Sequence, residues 1–351
     1  MLALLTGLWA GLARLGWDVP LPRPGFSSLH GPLMVSGFLG TLISLERAVA
    51  LGRPWAYAAP LLTGLGGVSL IVGAPLLVAQ WLMLAGSLGL VAIFAAIIRR
   101  HPALYTFTMG GGSLVWALGN LLWCLGWPVF LVVFWWAAFL VVTIAGERLE
   151  LARLQQVTGA AQATLLLLLG ILLTGLLLLG WSFDGGVRLF GLGLAGLALW
   201  LGRHDIARRT VKQAGLTRFI AICLLTGYVW LGISGLSAMW FGGVPVGPQY
   251  DATLHAFFLG FVFAMIFAHA PIIFPAVLGA RMAYRPLFYA HVVLLQVTLV
   301  VRFIGDAAGW SAGRQVGGLL NAVTLLLFLV NTVSALQSPP ERAGTAQGRG
   351  A

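Results

Sequence analysis

Runs of apolar residues about as long as a bilayer is thick follow one another along almost the whole chain, and they limit its folds more than any motif does. A transmembrane helix needs about 20 such residues, at 1.5 Å rise each, to cross a hydrocarbon core of roughly 30 Å. Of the 351 residues, 60% are hydrophobic and only 8% charged, where a soluble domain carries about a quarter charged. The chain therefore reads as all-α, a polytopic transmembrane helical bundle. The pattern predicts about twelve helices, at 2–17, 29–45, 57–77, 80–98, 103–126, 128–145, 160–182, 186–202, 216–238, 253–279, 285–304 and 314–335. The break between the third and fourth rests on Pro75 and Gln80 alone.

The first span has Arg14 near its far end and Asp18 just beyond, with no basic stretch before it and no small-residue cleavage site after it. It reads as a retained helix, not a signal peptide. Residues 1–337 read as a single transmembrane domain, and the polar tail 338–351, SPPERAGTAQGRGA, as a disordered cytoplasmic extension. No connection is long enough for a soluble domain, so function has to sit in the membrane or at its faces.

Charge gives the expected orientation. With the N-terminus inside, fifteen of the twenty basic residues fall in cytoplasmic connections and the tail, and only Arg14, Arg23, Arg188, Arg302 and Arg314 fall on the other side. That is a positive-inside bias, and it places both termini in the cytoplasm of a multi-pass protein of the cell inner membrane. The net charge of +11 is spread over short loops beside anionic headgroups and forms no patch with interleaved polar readers. Membrane lipids, and no nucleic acid, are the partners this distribution implies.

Several chemistries lack their signatures. The two cysteines, Cys124 and Cys223, lie in apolar helices, with no CxxC or CxxCH to hold a cluster or attach a haem covalently. GxGxxG, GxxxxGK[ST] and HExxH are absent, so nucleotide binding and zinc proteolysis have no support. None of the nine acidic residues falls in the middle of a predicted span, which counts against a transporter built on intramembrane carboxylates.

The histidines form a pattern. His30 opens the second helix and His255 the tenth, both even-numbered and both descending from the outer side. His269 lies fourteen residues further along the tenth helix, about 21 Å deeper and within roughly 40° of the same face of a regular helix. His291 opens the eleventh helix from the cytoplasmic side. Two sites follow from this placement: an outer pair, His30 with His255, and an inner pair, His269 with His291. Each pair could ligate a haem iron or another metal, since neutral imidazole offers a lone pair without a fixed charge in hydrocarbon. The intervening HAFFLGFVFAMIF supplies small and aromatic residues suited to a porphyrin slot. His101 and His204 lie in basic interfacial segments and read as surface residues.

The segments LHGPLMVSGFLGTLISLERAVALG (29–52) and LHAFFLGFVFAMIFAHAPIIFPAV (254–277) resemble the NnrS family, and more distantly haem–copper oxidase subunit I. The resemblance implies a twelve-helix membrane protein with haem b, and copper as a second centre, linked to nitric oxide or respiratory redox handling. It implies partners such as a small diatomic gas and an electron-donor protein or quinone. No adjacent histidine pair and no HxH occurs, so a haem–copper oxygen-reducing centre is not implied. A redox enzyme and a binding or sensing protein are equally compatible with this pattern. The competing readings are a small-solute transporter without a cofactor and a structural subunit of a respiratory complex.

Overall fold

In a computed structural model describing residues 1–152 and 158–337, the chain is an all-α polytopic bundle. Its helices are α1 (Leu2–Arg14), α2 (Phe26–Leu51), α3 (Pro54–Val72), α4 (Leu76–Arg100), α5 (Leu104–Cys124) and α6 (Val129–Ala152). They are followed by α7 (Gly159–Leu178), α8 (Phe183–His204), α9 (Gly215–Phe241), α10 (Pro248–Val277), α11 (Phe288–Ala307) and α12 (Ser311–Ser334). Ten of these are long and apolar enough to cross a membrane. A two-residue antiparallel pairing, Arg281–Met282 with Leu336–Gln337, ties the α10–α11 connection to the end of α12. The tail 338–351 lies outside the described residues.

The expected helix order holds, with boundaries moved for identifiable reasons. α3 stops at Val72 because Gly73 takes a left-handed φ of +85° and Pro75 starts the next helix. Gln80 therefore sits inside α4, buried, and donates to the Trp123 carbonyl at 2.8 Å. α10 begins at Pro248, five residues before the expected start, because Gly247 at φ +105° turns the chain and Pro248 is suited to the first helical turn. α1 is shorter than its apolar run and lies along the outer half of α2. Gly7 and Gly11 of α1 leave room for Met34 and His30, the close approach that small residues permit between helices in a membrane.

The centre of the bundle belongs to α6 and α10, of whose apolar windows 78% and 67% of the residues are buried; α7, at 28%, is peripheral. Against this centre α2 and α10 share an irregularity. Residues Leu33–Gly40 of α2 and Ala256–Phe263 of α10 are π-helical, a wide-turn geometry that is rare and concentrated at functional sites. Each segment carries a glycine on which a tryptophan rests, Gly40 under Trp116 and Gly260 under Trp230, where a Cβ would overlap the indole. The indoles are themselves fixed: Trp116 Nε1 donates to Ser36 Oγ at 3.2 Å and Trp230 Nε1 to Gln296 Oε1 at 2.7 Å. Asn120 extends the first anchor by accepting from Ser36 (3.1 Å) and from Trp136 Nε1 (3.0 Å). Phe38 and Phe263, one from each segment, stack at 6.4 Å with 18° between their planes.

The orientation implied by the charge bias is testable with reporters. Alkaline phosphatase fused after Val244, in the α9–α10 connection, is expected to be active outside the cytoplasm. A fluorescent protein fused after Gln337 is expected to be bright inside. The opposite readings would reverse the topology.

Candidate functional site

Between α1, α2, α6, α10, α11 and α12 lies a cavity of about 360 Å³, within the range of small-molecule pockets, about 300–1,000 Å³. Its walls are largely apolar, with Met34, Leu39, Val133, Phe258 and Phe263 among them, and its polar groups gather at the outer end. There the π segments bring His30 and His255 face to face, with ring centroids 6.0 Å apart and planes 27° from parallel.

The hydrogen bonds fix what each imidazole can offer. His30 Nδ1 lies 2.7 Å from the Gly7 carbonyl, and a carbonyl only accepts, so Nδ1 carries the proton and Nε2 keeps its lone pair. His255 Nδ1 lies 3.0 Å from the Asp251 carbonyl and 3.2 Å from Asp251 Oδ1, which imposes the same tautomer. A ring held through Nδ1–H by a carbonyl or carboxylate, with Nε2 left over, is the usual posture of a ligating histidine.

Arg302 organises the rest of this end. From α11 it grips the Asp251 carboxylate with two prongs, Nε to Oδ2 at 3.0 Å and Nη2 to Oδ1 at 3.1 Å, and its Nη2 is 3.3 Å from both His255 nitrogens. Behind it, Asp306, whose side chain is fully buried, lies at ion-pair distance from Arg314 Nε, 3.0 Å, without hydrogen-bond alignment. Arg14, Arg302 and Arg314 line the cavity against Asp251, and Asp306 stands behind Arg314. Three guanidinium groups against two carboxylates leave one positive charge in excess, so this end of the cavity suits an acidic ligand group. Asp251 and Asp306 were expected in outer connections. They sit inside helices because α10 starts earlier and α11 ends later than the apolar runs alone suggest.

The inner pair predicted from sequence is not formed. His269 Nε2 lies 2.8 Å from Arg148 Nη2 and its Nδ1 2.6 Å from the Met265 carbonyl, so both ring nitrogens are spent. His291 is buried elsewhere, among Phe219, Phe267, Phe288 and Phe328, with Asn331 Nδ2 at 3.2 Å from Nδ1. In this arrangement neither presents a nitrogen to a shared haem or copper ion. Hydrophobic periodicity could not reveal this: the π segment breaks the regular 100° step between His255 and His269, and Arg148 reaches in from α6. Among the described residues, no group of three or more histidine, cysteine, aspartate or glutamate side chains is placed to hold a metal.

The DUF8744 family, described as a domain of unknown function, matches residues 1–337. The chain belongs to this family. No curated protein and no solved structure matches the chain. The DUF8744 match thus spans every helix that builds the cavity and leaves its chemistry to be argued from the residues.

Arg302 is expected to be indispensable to this arrangement. Arg302→Leu would strand the Asp251 carboxylate in a buried site, an error costing about 3–5 kcal/mol. Adding Asp251→Asn should recover a good part of the loss. Thermal unfolding of the single and double variants in detergent measures both.

Proposed function

We propose that the chain is a haem-binding integral membrane protein of the inner membrane, with His30 and His255 as the axial ligands of a haem b in the outer cavity. The observation that carries this reading is the histidine pair itself. The two rings lie 6.0 Å apart, centroid to centroid, with planes 27° from parallel; because an imidazole lone pair lies in the ring plane, both rings would turn edge-on to hold one iron between them. Both rings hold the tautomer that leaves Nε2 for a metal, and the apolar and aromatic walls suit a flat macrocycle.

Each residue has a part in this reading. The Gly7 and Asp251 carbonyls orient the rings through Nδ1–H. Arg14, Arg302 and Arg314 supply the positive charge that two carboxylate side arms call for. For His255 to ligate, Arg302 gives up its contact with Nε2 and keeps its grip on Asp251. Phe258, Phe263 and Leu39 exclude water from the buried end. A bound haem b would supply a one-electron couple at its iron. With both His30 and His255 holding it, a haem would favour respiratory electron handling, with a quinone or an electron-donor protein as partner, over binding of nitric oxide at the same iron.

A second reading draws on the excess of guanidinium groups and on a smaller pocket beyond Leu39, between the same helices α2, α6 and α10. These would serve a transporter of a small anionic solute, with the histidines as hydrogen-bonding gates.

Colour separates the two. Protein purified from haem-replete cells is expected to show a Soret band and a reduced-minus-oxidised α band. His30→Ala and His255→Ala should abolish the six-coordinate spectrum, while His269→Ala and His291→Ala should keep it. A folded wild-type protein without colour would sink the haem reading and leave anion uptake as the assay to run.

A further inference from the structure

Basic residues that read as scattered through short loops are gathered by the fold at one place on the inner end of the bundle. Arg203 lies in the last turn of α8, Arg208, Arg209 and Lys212 in the connection to α9, and Arg218 in the first turn of α9; all five are exposed. Asp205 is the single acidic residue between Asp184 and Asp251, and it is buried and fully committed. Its Oδ1 accepts from the Ala207 N–H and its Oδ2 from the Tyr228 hydroxyl, each at 2.7 Å. Among the described residues, none of the five cations is in an ion pair.

The connection that carries them is built, not slack. Asp205 leads into a helical turn, Ala207–Thr210, and ties it to α9 through Tyr228. Arg208 Nη1 donates to the Arg203 carbonyl at 3.2 Å, which draws the two arginines together. His204 turns back, its Nδ1 2.9 Å from the Trp200 carbonyl and its ring 4.8 Å from the indole.

The helix surfaces that run up to this patch are apolar. On α8, Leu192 and Leu199 are exposed, and Arg203 follows Leu199 by four residues, on the same face. On α9, Arg218 is followed at helical spacing by the half-buried Ile222 and Leu225 and the exposed Val229. Leu192 to Arg203 and Arg218 to Val229 each cover about 16 Å of helix at 1.5 Å rise, which is about half of a hydrocarbon core of roughly 30 Å. Each strip is therefore one leaflet deep and ends in a guanidinium. An acyl chain lying along such a strip brings its headgroup phosphate to the cations, and a guanidinium fork takes phosphate oxygens in pairs.

We propose that the α8–α9 connection and these strips form a binding site for an anionic phospholipid of the leaflet at the inner end, with Arg203, Arg208, Arg209, Lys212 and Arg218 receiving the headgroup. A free anion in water would engage the cations and leave the strips unused. The site stands apart from both cavities and does not depend on what fills them.

Titration of the full chain in detergent with phosphatidylglycerol, read by native mass spectrometry, tests this, with phosphatidylcholine as the neutral comparison. Phosphatidylglycerol is expected to stay bound at concentrations where phosphatidylcholine does not. Combining Arg208→Gln, Arg209→Gln and Lys212→Gln should weaken its binding about a hundredfold, roughly fivefold for each cation removed. Arg99→Gln with Arg100→Gln, at the end of α4, should leave it unchanged. A photoactivatable phosphatidylglycerol on the wild-type chain in liposomes needs no variant to fold, and its crosslinks are expected within 192–229. Equal retention of the two lipids, wild-type affinity in the triple variant, an equal loss in the Arg99 and Arg100 variant, or crosslinks confined to other helices would each overturn the proposal. So would displacement of the lipid by an equal concentration of inorganic phosphate, which would make the patch a site for the free anion.

Discussion

Everything at the centre of this bundle depends on two stretches of backbone held in a wide turn where hydrocarbon forbids unpaired peptide groups. A transmembrane segment must satisfy its N–H and C=O groups internally, so departure from the regular helix needs packing that over-determines it. The chain provides this twice with the same device: a glycine in the π segment and an indole laid over it. A polar partner then pins each indole N–H, Ser36 for Trp116 and Gln296 for Trp230. The widened turns hold a histidine at the outer end of each segment and a stacked phenylalanine pair, Phe38 with Phe263, further in. The cavity is the space that two such segments leave between them.

Charge is handled with the same economy at both levels of the cavity stack. At the outer end one guanidinium, Arg302, serves the Asp251 carboxylate and touches His255. At the inner end one guanidinium, Arg47, serves Glu147 and Glu46. Desolvating an ion pair costs as much as its attraction returns unless additional hydrogen bonds complete it. Shared guanidinium groups with several donors meet that condition better than isolated pairs would. They also join helices, the neighbours α10 and α11 in one case and α2 to the distant α6 in the other. A buried charge therefore fixes helix positions here as well as local polarity.

Much of the architecture was legible in the sequence, for reasons that can be named. Apolar run length sets helix order, because the bilayer fixes how long a segment must be. Alternating direction then places His30 and His255 at the same depth, and the structure brings their rings together. What stayed hidden depends on departures from regularity. Pro248 extends α10 backwards and draws Asp251 into the bundle, although residues 248–252 are too polar to read as membrane helix. The π segments leave no mark in hydrophobic periodicity. Arg148 reads as a loop-proximal cation because α6 continues past the end of its apolar run, to Ala152. Only that extension lets it reach His269, which is why the inner histidine pair was expected and is not found.

Four histidines of one type thus end with different chemistry, and the partner of Nδ1 explains only part of the difference. His30, His255 and His269 all donate Nδ1–H to a backbone carbonyl, so each keeps the lone pair on Nε2. They diverge at the second nitrogen. Arg148 caps it on His269 at 2.8 Å; on His255, Arg302 Nη2 stands at 3.3 Å, equally far from both ring nitrogens and committed to Asp251. His291 is inverted. The Asn331 amide donates to its Nδ1, and its Nε2–H is left dry among phenylalanine rings. A residue count treats these four as equivalent donors, whereas their hydrogen bonds separate two cavity-lining imidazoles that keep an Nε2 lone pair from one capped base and one buried core imidazole. In a chain with so few polar groups, a neighbouring guanidinium or amide decides what a histidine can do, and that neighbour comes from another helix.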